Sequence, residues 1–368
     1  MRVFGQLLYF IEFEAAGGDG AAITMQKRVT IRDVADRVQV HYSTVARALN
    51  NNTRVSEKTR LKVKAAAIEM GYAPDPMVSA LSSYRSAIRR AVYHGTLAWL
   101  SNEARPLITP DALLSIRNYS EGAREQAAMM GYQIEEFPFL EEGMTPRRYV
   151  QVLRSRGITG IIVGPQAPNH FDAEIRMDWA PFSAVALGPS LHWPPIHRVS
   201  SNQFRSMKLV VQELAALGYR RIGLYVEKQM HQRLDLTWMG GYMAEMAELG
   251  LPIPELLTDK IKDVREVEDW VARNRLDAFI SSAGFYEFWL PKSKLRVPQD
   301  IGFASLHVLG GEAQAGINQH DREIGRAAVN LLVGMMQRQE KGIPKLAQRL
   351  LIDGTWQQGT TVRRRVVR

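Results

Sequence analysis

Residues 29–50, VTIRDVADRVQVHYSTVARALN, restrict the possible folds more than any other stretch of this chain. Thr30 can cap a helix, with Asp33 three residues later completing a capping-box-like pair. Ile31, Val34, Ala35 and Val38 fall at i, i+3, i+4 and i+7, one apolar stripe on a short helix. A tight connection at residues 39–41 follows, and Val45, Ala48 and Leu49 give a second short helix its apolar face. The other face carries Tyr42, Ser43, Thr44 and Arg47, side chains of the kind that reach base edges and phosphates in a major groove. The pattern is that of a helix-turn-helix.

Charge is distributed to match. Residues 27–90 hold 13 basic and 5 acidic side chains, a net +8, while the whole chain carries +9. A basic head on a nearly neutral body is the electrostatic footprint of a nucleic-acid-binding module joined to something else.

At 368 residues and 46% hydrophobic, the chain is long enough for two or three domains with substantial cores. The absence of cysteine excludes disulfides and cysteine-ligated zinc, and suits a reducing cytoplasm. No apolar run reaches the roughly 18 residues a membrane span needs. Residues 1–25 form an extra segment: an apolar stretch interrupted by Glu12, then the low-complexity AAGGDGAA. That makes a poor export signal, and we expect the segment to be disordered, with Met25 as the true start.

Farther along, Ser56 is expected to cap a third helix, with Val63, Ala66, Ala67 and Met70 facing inward and Gly71 ending it. Residues 26–73 then make the head. Pro74 and Pro76 open a linker over residues 74–90, in which Asp75 and Pro76 can start a short hinge helix running through Leu81. From residue 91 the texture becomes alternating strand and helix. Strands are expected at 95–100, 133–136, 160–163, 183–187, 222–226, 278–281 and 301–304, with amphipathic helices at 119–130, 147–156, 206–217 and 241–249. Such alternation predicts an α/β body of parallel sheets covered by helices on both faces.

Head, proline-bounded short helix and α/β body, in that order, resemble the LacI/GalR family of bacterial transcriptional regulators from about Val29 to the C-terminus. The head carries the resemblance most specifically, through TIRDVA, STVARALN, RVSEKTRLKV and GYAPDP. Weaker matches in the body are ALGYRRIGLY, WMGGY, PQDIGFAS and INQHDREIGRAAVNLL, the last similar to the family's lobe-crossing segment. The resemblance implies an all-α head and hinge helix joined to a two-lobed body like that of periplasmic binding proteins. It implies a homodimer, or a tetramer of two dimers, on a pseudo-palindromic duplex operator, with a small-molecule effector between the lobes and a cytoplasmic, nucleoid-associated location. No cofactor or metal is expected. Carried over by position, Tyr42 and Ser43 match the two variable base-reading positions, and Arg47 and Asn50 match the arginine and asparagine later in the recognition helix. Thr30 and Arg32 stand where the first helix meets the DNA backbone, Thr44 and Ser56 complete the DNA-facing set, and Leu81 matches the minor-groove wedge of the hinge.

The chain also departs from the family pattern. Gln39 stands where the turn usually has Gly, His41 where Ser usually caps the recognition helix, and Ser79 where a hinge Arg is common. In the effector region, Trp238 replaces an Arg, and Gly188 and Gly284 replace two Asp residues. Trp238, Phe285 and His307 remain as pocket residues. Either a polar set of Arg233, Asp235 and Gln319 holds a sugar stacked on Trp238, or the ligand is not the usual sugar.

Enzymatic signatures are missing: the sequence has no G-x-S-x-G, P-loop, dinucleotide fingerprint or HExxH. His192 and His197 flank a Trp-Pro-Pro stretch and read as loop histidines. The expected function is sequence-specific DNA binding and regulation, read as repression, under control of a sugar or sugar derivative. The rival is a cytoplasmic solute receptor or sugar-processing enzyme built on the same body.

Overall fold

The computed structural model describes residues 29–49, 55–72, 93–101, 110–139, 144–166, 173–282, 285–309 and 314–365. Segment 1–25, Asn50, the hinge helix with Leu81, and Gly284 lie outside these residues. The chain divides into two compact units, with the boundary between Ile88 and Arg89.

The first unit contains three helices, α1 (Ile31–Val38), α2 (Tyr42–Leu49) and α3 (Glu57–Glu69). Thr30 and Asp33 form a full capping box at the start of α1: the Asp33 N–H donates to the Thr30 hydroxyl at 3.3 Å, and the Thr30 N–H donates to the Asp33 carboxylate at 2.7 Å. Gln39 ends α1 in the left-handed region at φ 59°, the turn conformation that glycine would adopt more cheaply. Ser56 caps α3 by accepting from the Thr59 N–H at 3.3 Å. Val34, Val45, Val63 and Ala48 are completely buried, so the three apolar stripes meet in one small core.

The second unit has two lobes. In the first lobe, six strands lie in the order β12-β7-β5-β3-β1-β2, all parallel. They are β1 (Gly95–Ser101), β2 (Tyr132–Pro138), β3 (Gly160–Val163), β5 (Ser183–Leu187), β7 (His197–Ser201) and β12 (Arg349–Ile352). A small parallel pair, β4 (Ala173–Glu174) and β6 (Leu191–Trp193), stands apart. Helices α4 (Pro110–Met129) and α5 (Pro146–Ser155) accompany this sheet. In the second lobe the order is β13-β11-β10-β9-β8, parallel except for the antiparallel β11/β13 pair. Its strands are β8 (Ile222–Tyr225), β9 (Ala278–Ser281), β10 (Gly302–Ser305), β11 (Gly316–Asn318) and β13 (Thr355–Gln357). Helices α6 (Gln203–Ala216), α7 (Lys228–Arg233), α8 (Thr237–Glu248), α9 (Val264–Asn274) and the single turn α10 (Phe285–Phe288) belong to it.

The last long helix, α11 (Asp321–Arg338), follows β11 of the second lobe but packs into the first. Its buried Ile324, Ala328 and Leu332 form an i, i+4, i+8 stripe beside Tyr119 and Ala123 of α4. Two glycines set that crossing distance: a Cβ on Gly325 would lie 2.1 Å from the Tyr119 carbonyl oxygen, and one on Gly122 would lie 2.0 Å from that of Arg322. Backbone meets backbone there, so neither position has room for a side chain.

Three chain passages therefore join the lobes: β7 to α6, β11 to α11, and β12 to β13. Side chains tie the passages to one another. Asn202 donates to Asp353 at 2.9 Å, Gln203 donates to Gln319 at 3.1 Å, and His320 bonds Thr355 at 2.9 Å. The INQHDREIGRAAVNLL segment is the middle passage together with α11.

Candidate functional site

In the head, helix α2 buries Val45 and Ala48. Ser43 and Arg47, one turn apart, lie on the side of the helix away from them. Arg47 is exposed, Tyr42 is 48% exposed at the helix start, and Ser43 and Thr44 are half-buried. Polar groups near the N-terminus of a second helix, free of the core, are what a major-groove reader needs. Arg32 of α1 places its guanidinium 5.9 Å from the Tyr42 ring centroid, and the ring of Tyr42 lies 4.3 Å from that of His41. His41 takes over the cap: its Nδ1 accepts from the Ser43 N–H at 3.4 Å and sits 2.8 Å from Ser43 Oγ. The side chains of Thr30 and Ser56 are used as helix caps, which orient the first turns of α1 and α3.

In the body, ligands of open parallel sheets bind beyond the carboxyl ends of the strands. Arg233, at the end of α7, reaches from the second lobe to the main-chain carbonyl of Gln166, just past β3 in the first. Burial pushes its guanidinium down to about 10. Gln166 is itself buried, with its N–H donating to Ser190 Oγ at 2.8 Å, and its side-chain oxygen has no hydrogen-bond partner among the described residues. His307 follows β10 and holds its Nε2 3.1 Å from both oxygens of Asp321, the first residue of α11. Tyr119 from α4 also bonds Asp321; burial, then the nearby carboxylate, raises the phenol well above its ordinary value. A cavity of about 330 Å3 opens at this junction, lined by Asn118, His307, Asn318, His320, Asp321 and Gln357 among others.

The expected pocket residues are thus only partly brought together. Gln319 is buried beside Gln203, whose side-chain oxygen also accepts from the Trp238 indole at 2.5 Å. Trp238 is 5% exposed and packed in the second lobe's core, so the indole has no open face and its one donor is engaged. Phe285 is equally buried, edge-on to Tyr225 and Phe279 and stacked on Phe303. Asp235 is exposed in a left-handed conformation, 3.8 Å from Arg349. Aromatic side chains reach the core because they bury the most apolar area. Gln203, Gln166, Asp321 and Tyr119 were not singled out from sequence. Gln203 follows Asn202, which caps α6, and Asp321 lies in the INQHDREIGRAAVNLL segment.

Comparison with known proteins agrees with this geometry. Residues 30–75 match the sequence profile described as "Bacterial regulatory proteins, lacI family", and residues 211–356 match a periplasmic binding protein-like domain. The HTH-type transcriptional repressor CytR of Escherichia coli K12 is 26% identical over 348 residues, covering 85% of this chain and 91% of that protein. The ribose operon repressor of Bacillus subtilis 168 is 25% identical over 323 residues, covering 84% and 92%. Among solved structures, a transcriptional regulator CelR–cellobiose complex superposes with TM-score 0.52 at 18% identity, covering 91% of this chain and all of that one. The lac repressor dimer bound to operator and the anti-inducer ONPF gives 0.50 at 18%, over 92% and 100%. A helix-turn-helix head on a two-lobed binding-protein body defines a class of ligand-responsive DNA-binding proteins. This chain carries a lacI-type helix-turn-helix domain followed by a periplasmic binding protein-like domain, and its relatives are LacI-family regulators.

Proposed function

We propose that this protein is a sequence-specific DNA-binding transcriptional repressor whose two-lobed body takes a small-molecule effector, a sugar or sugar derivative. The carrying observation is the outward polar face of α2, with Ser43 and Arg47 opposite the buried Val45 and Ala48. Both reported relatives are named as repressors, and one reported neighbour holds cellobiose. The rival of a solute receptor or sugar-processing enzyme has no comparable support. Thr30, Arg32, Tyr42, Ser43, Thr44, Arg47, Asn50 and Ser56 form the operator-facing set, with Leu81 as the hinge wedge, and the active species on a pseudo-palindromic operator is a homodimer. No described helix is long and apolar enough to cross a membrane.

Coupling follows from differential affinity. An effector that favours one lobe arrangement shifts the population of forms that can hold operator. The effector meets Arg233 and Gln319 at the lobe junction, together with His307 on the wall of the 330 Å3 cavity. A thermal-shift screen over sugars, sugar acids and phosphorylated sugars, repeated with operator present, tests this. A ligand at about 100 times its Kd should add about 2.7 kcal/mol of stability and should change operator affinity. Ligands that stabilise the protein without moving operator affinity would contradict the coupling.

A further inference from the structure

His41 and Ser43 fix each other's protons. The Ser43 backbone N–H can only donate, and it points at His41 Nδ1 from 3.4 Å. With Nδ1 accepting that hydrogen, the ring proton sits on Nε2. The same Nδ1 lies 2.8 Å from Ser43 Oγ, so the hydroxyl supplies the hydrogen in that contact. Serine has a single hydroxyl hydrogen. Spent on His41, it leaves only lone pairs to present outward. The imidazole is braced for this task, since the Tyr42 ring lies 4.3 Å away and Arg32 sits over Tyr42.

A free serine hydroxyl can donate or accept, and so distinguishes base edges poorly. We infer that His41 makes Ser43 an obligate acceptor, so that Ser43 selects a base edge offering an exocyclic amino group, N6 of adenine or N4 of cytosine, in the major groove. His41 is the positioning residue and Ser43 the reading one. The inference rests on the DNA-binding role proposed above and adds the polarity of one contact to it. Ser43 suits the task because it lies on the α2 face opposite Val45 and Ala48, one turn from Arg47.

The test uses the full-length protein and an operator selected from random duplexes. At the base pair whose preference is lost in Ser43→Ala, single atoms of the DNA are then removed. Nebularine in place of adenine, or 2-pyrimidinone in place of cytosine, deletes the amino group, whereas 7-deazapurines delete the N7 acceptor. Deleting the amino group should weaken wild-type binding about three- to ten-fold, the scale of one hydrogen bond, and Ser43→Ala should add no further loss. His41→Phe, which keeps a ring beside Tyr42 but has no acceptor, should erase this coupling. His41→Asn, whose side-chain oxygen can still accept at the cap, should retain it. Coupling of Ser43 to N7, coupling that survives His41→Phe, or the lack of any Ser43-dependent base pair would overturn the inference alone. Failure of the wild type to enrich any sequence would overturn the DNA-binding role and this inference with it.

Discussion

His307 and Asp321 meet at the junction of the two lobes, with the imidazole Nε2 3.1 Å from each carboxylate oxygen. His307 follows strand β10 of the second lobe, and Asp321 opens the helix that anchors the middle passage in the first lobe. Asp321 is 6% exposed and also bonds Tyr119. Asp321→Ala would leave the phenol and the imidazole short of their acceptor, so we expect a loss of about 1–3 kcal/mol in chemical denaturation. An unchanged midpoint would mean that solvent replaces the carboxylate without cost.

The α4/α11 contact has no room at Gly325, where a Cβ would lie 2.1 Å from the Tyr119 carbonyl. Gly325→Ala should destabilise the body by about 1–3 kcal/mol, the usual range for overpacking, despite alanine's better helix propensity. Thermal unfolding of the body reads this directly. A gain in stability would show that the helices separate freely.

Gln39 holds φ 59° at the end of α1. Replacing it with glycine removes the steric cost of a left-handed L residue, about 1–2 kcal/mol, partly offset by glycine's greater unfolded-state entropy. Hydrogen exchange of the buried α1 and α2 amides should therefore slow modestly in Gln39→Gly. Faster exchange would indicate that the glutamine side chain supplies a compensating contact.

His231 in α7 is 2% exposed, neither ring nitrogen has a hydrogen-bond partner among the described residues, and burial lowers its pKa. The unfolded chain then binds a proton that the folded one refuses. This contribution to stability is complete above the ordinary histidine pKa of about 6.5 and is lost as pH falls toward the depressed folded value. His231→Leu should flatten that decline, measured by urea denaturation between pH 7 and 5. A decline as steep as in the wild type would assign the acid sensitivity to other groups.

The head was legible almost residue by residue, because its helices are fixed by local chemistry: caps at Thr30 and Ser56, the turn at Gln39, and apolar stripes of period 3.6. The strands at 160–163, 183–187 and 278–281 were equally plain, as short apolar runs bounded by turns. Strand β7 (His197–Ser201) escaped because its polar serines are buried by neighbouring strands rather than signalled by alternation. Helix α9 was missed although Asp263 and Glu266 form a capping box at its start. Strands β12 and β13 flank the chain's last passage between the lobes, which no local pattern encodes. At the lobe junction, sequence indicated residue types but not orientation. Trp238 points into the core, where Gln203, distant in sequence, accepts its indole hydrogen.

The central claim is that this chain recognises a specific duplex through its basic head. The most direct measurement compares its affinity for a selected operator with that for a scrambled duplex across a series of salt concentrations. Operator binding should be at least about 10³-fold tighter at physiological salt. Both affinities should also fall steeply and log-linearly as salt rises, reflecting counterion release. Equal affinities, or binding indifferent to salt, would contradict the account.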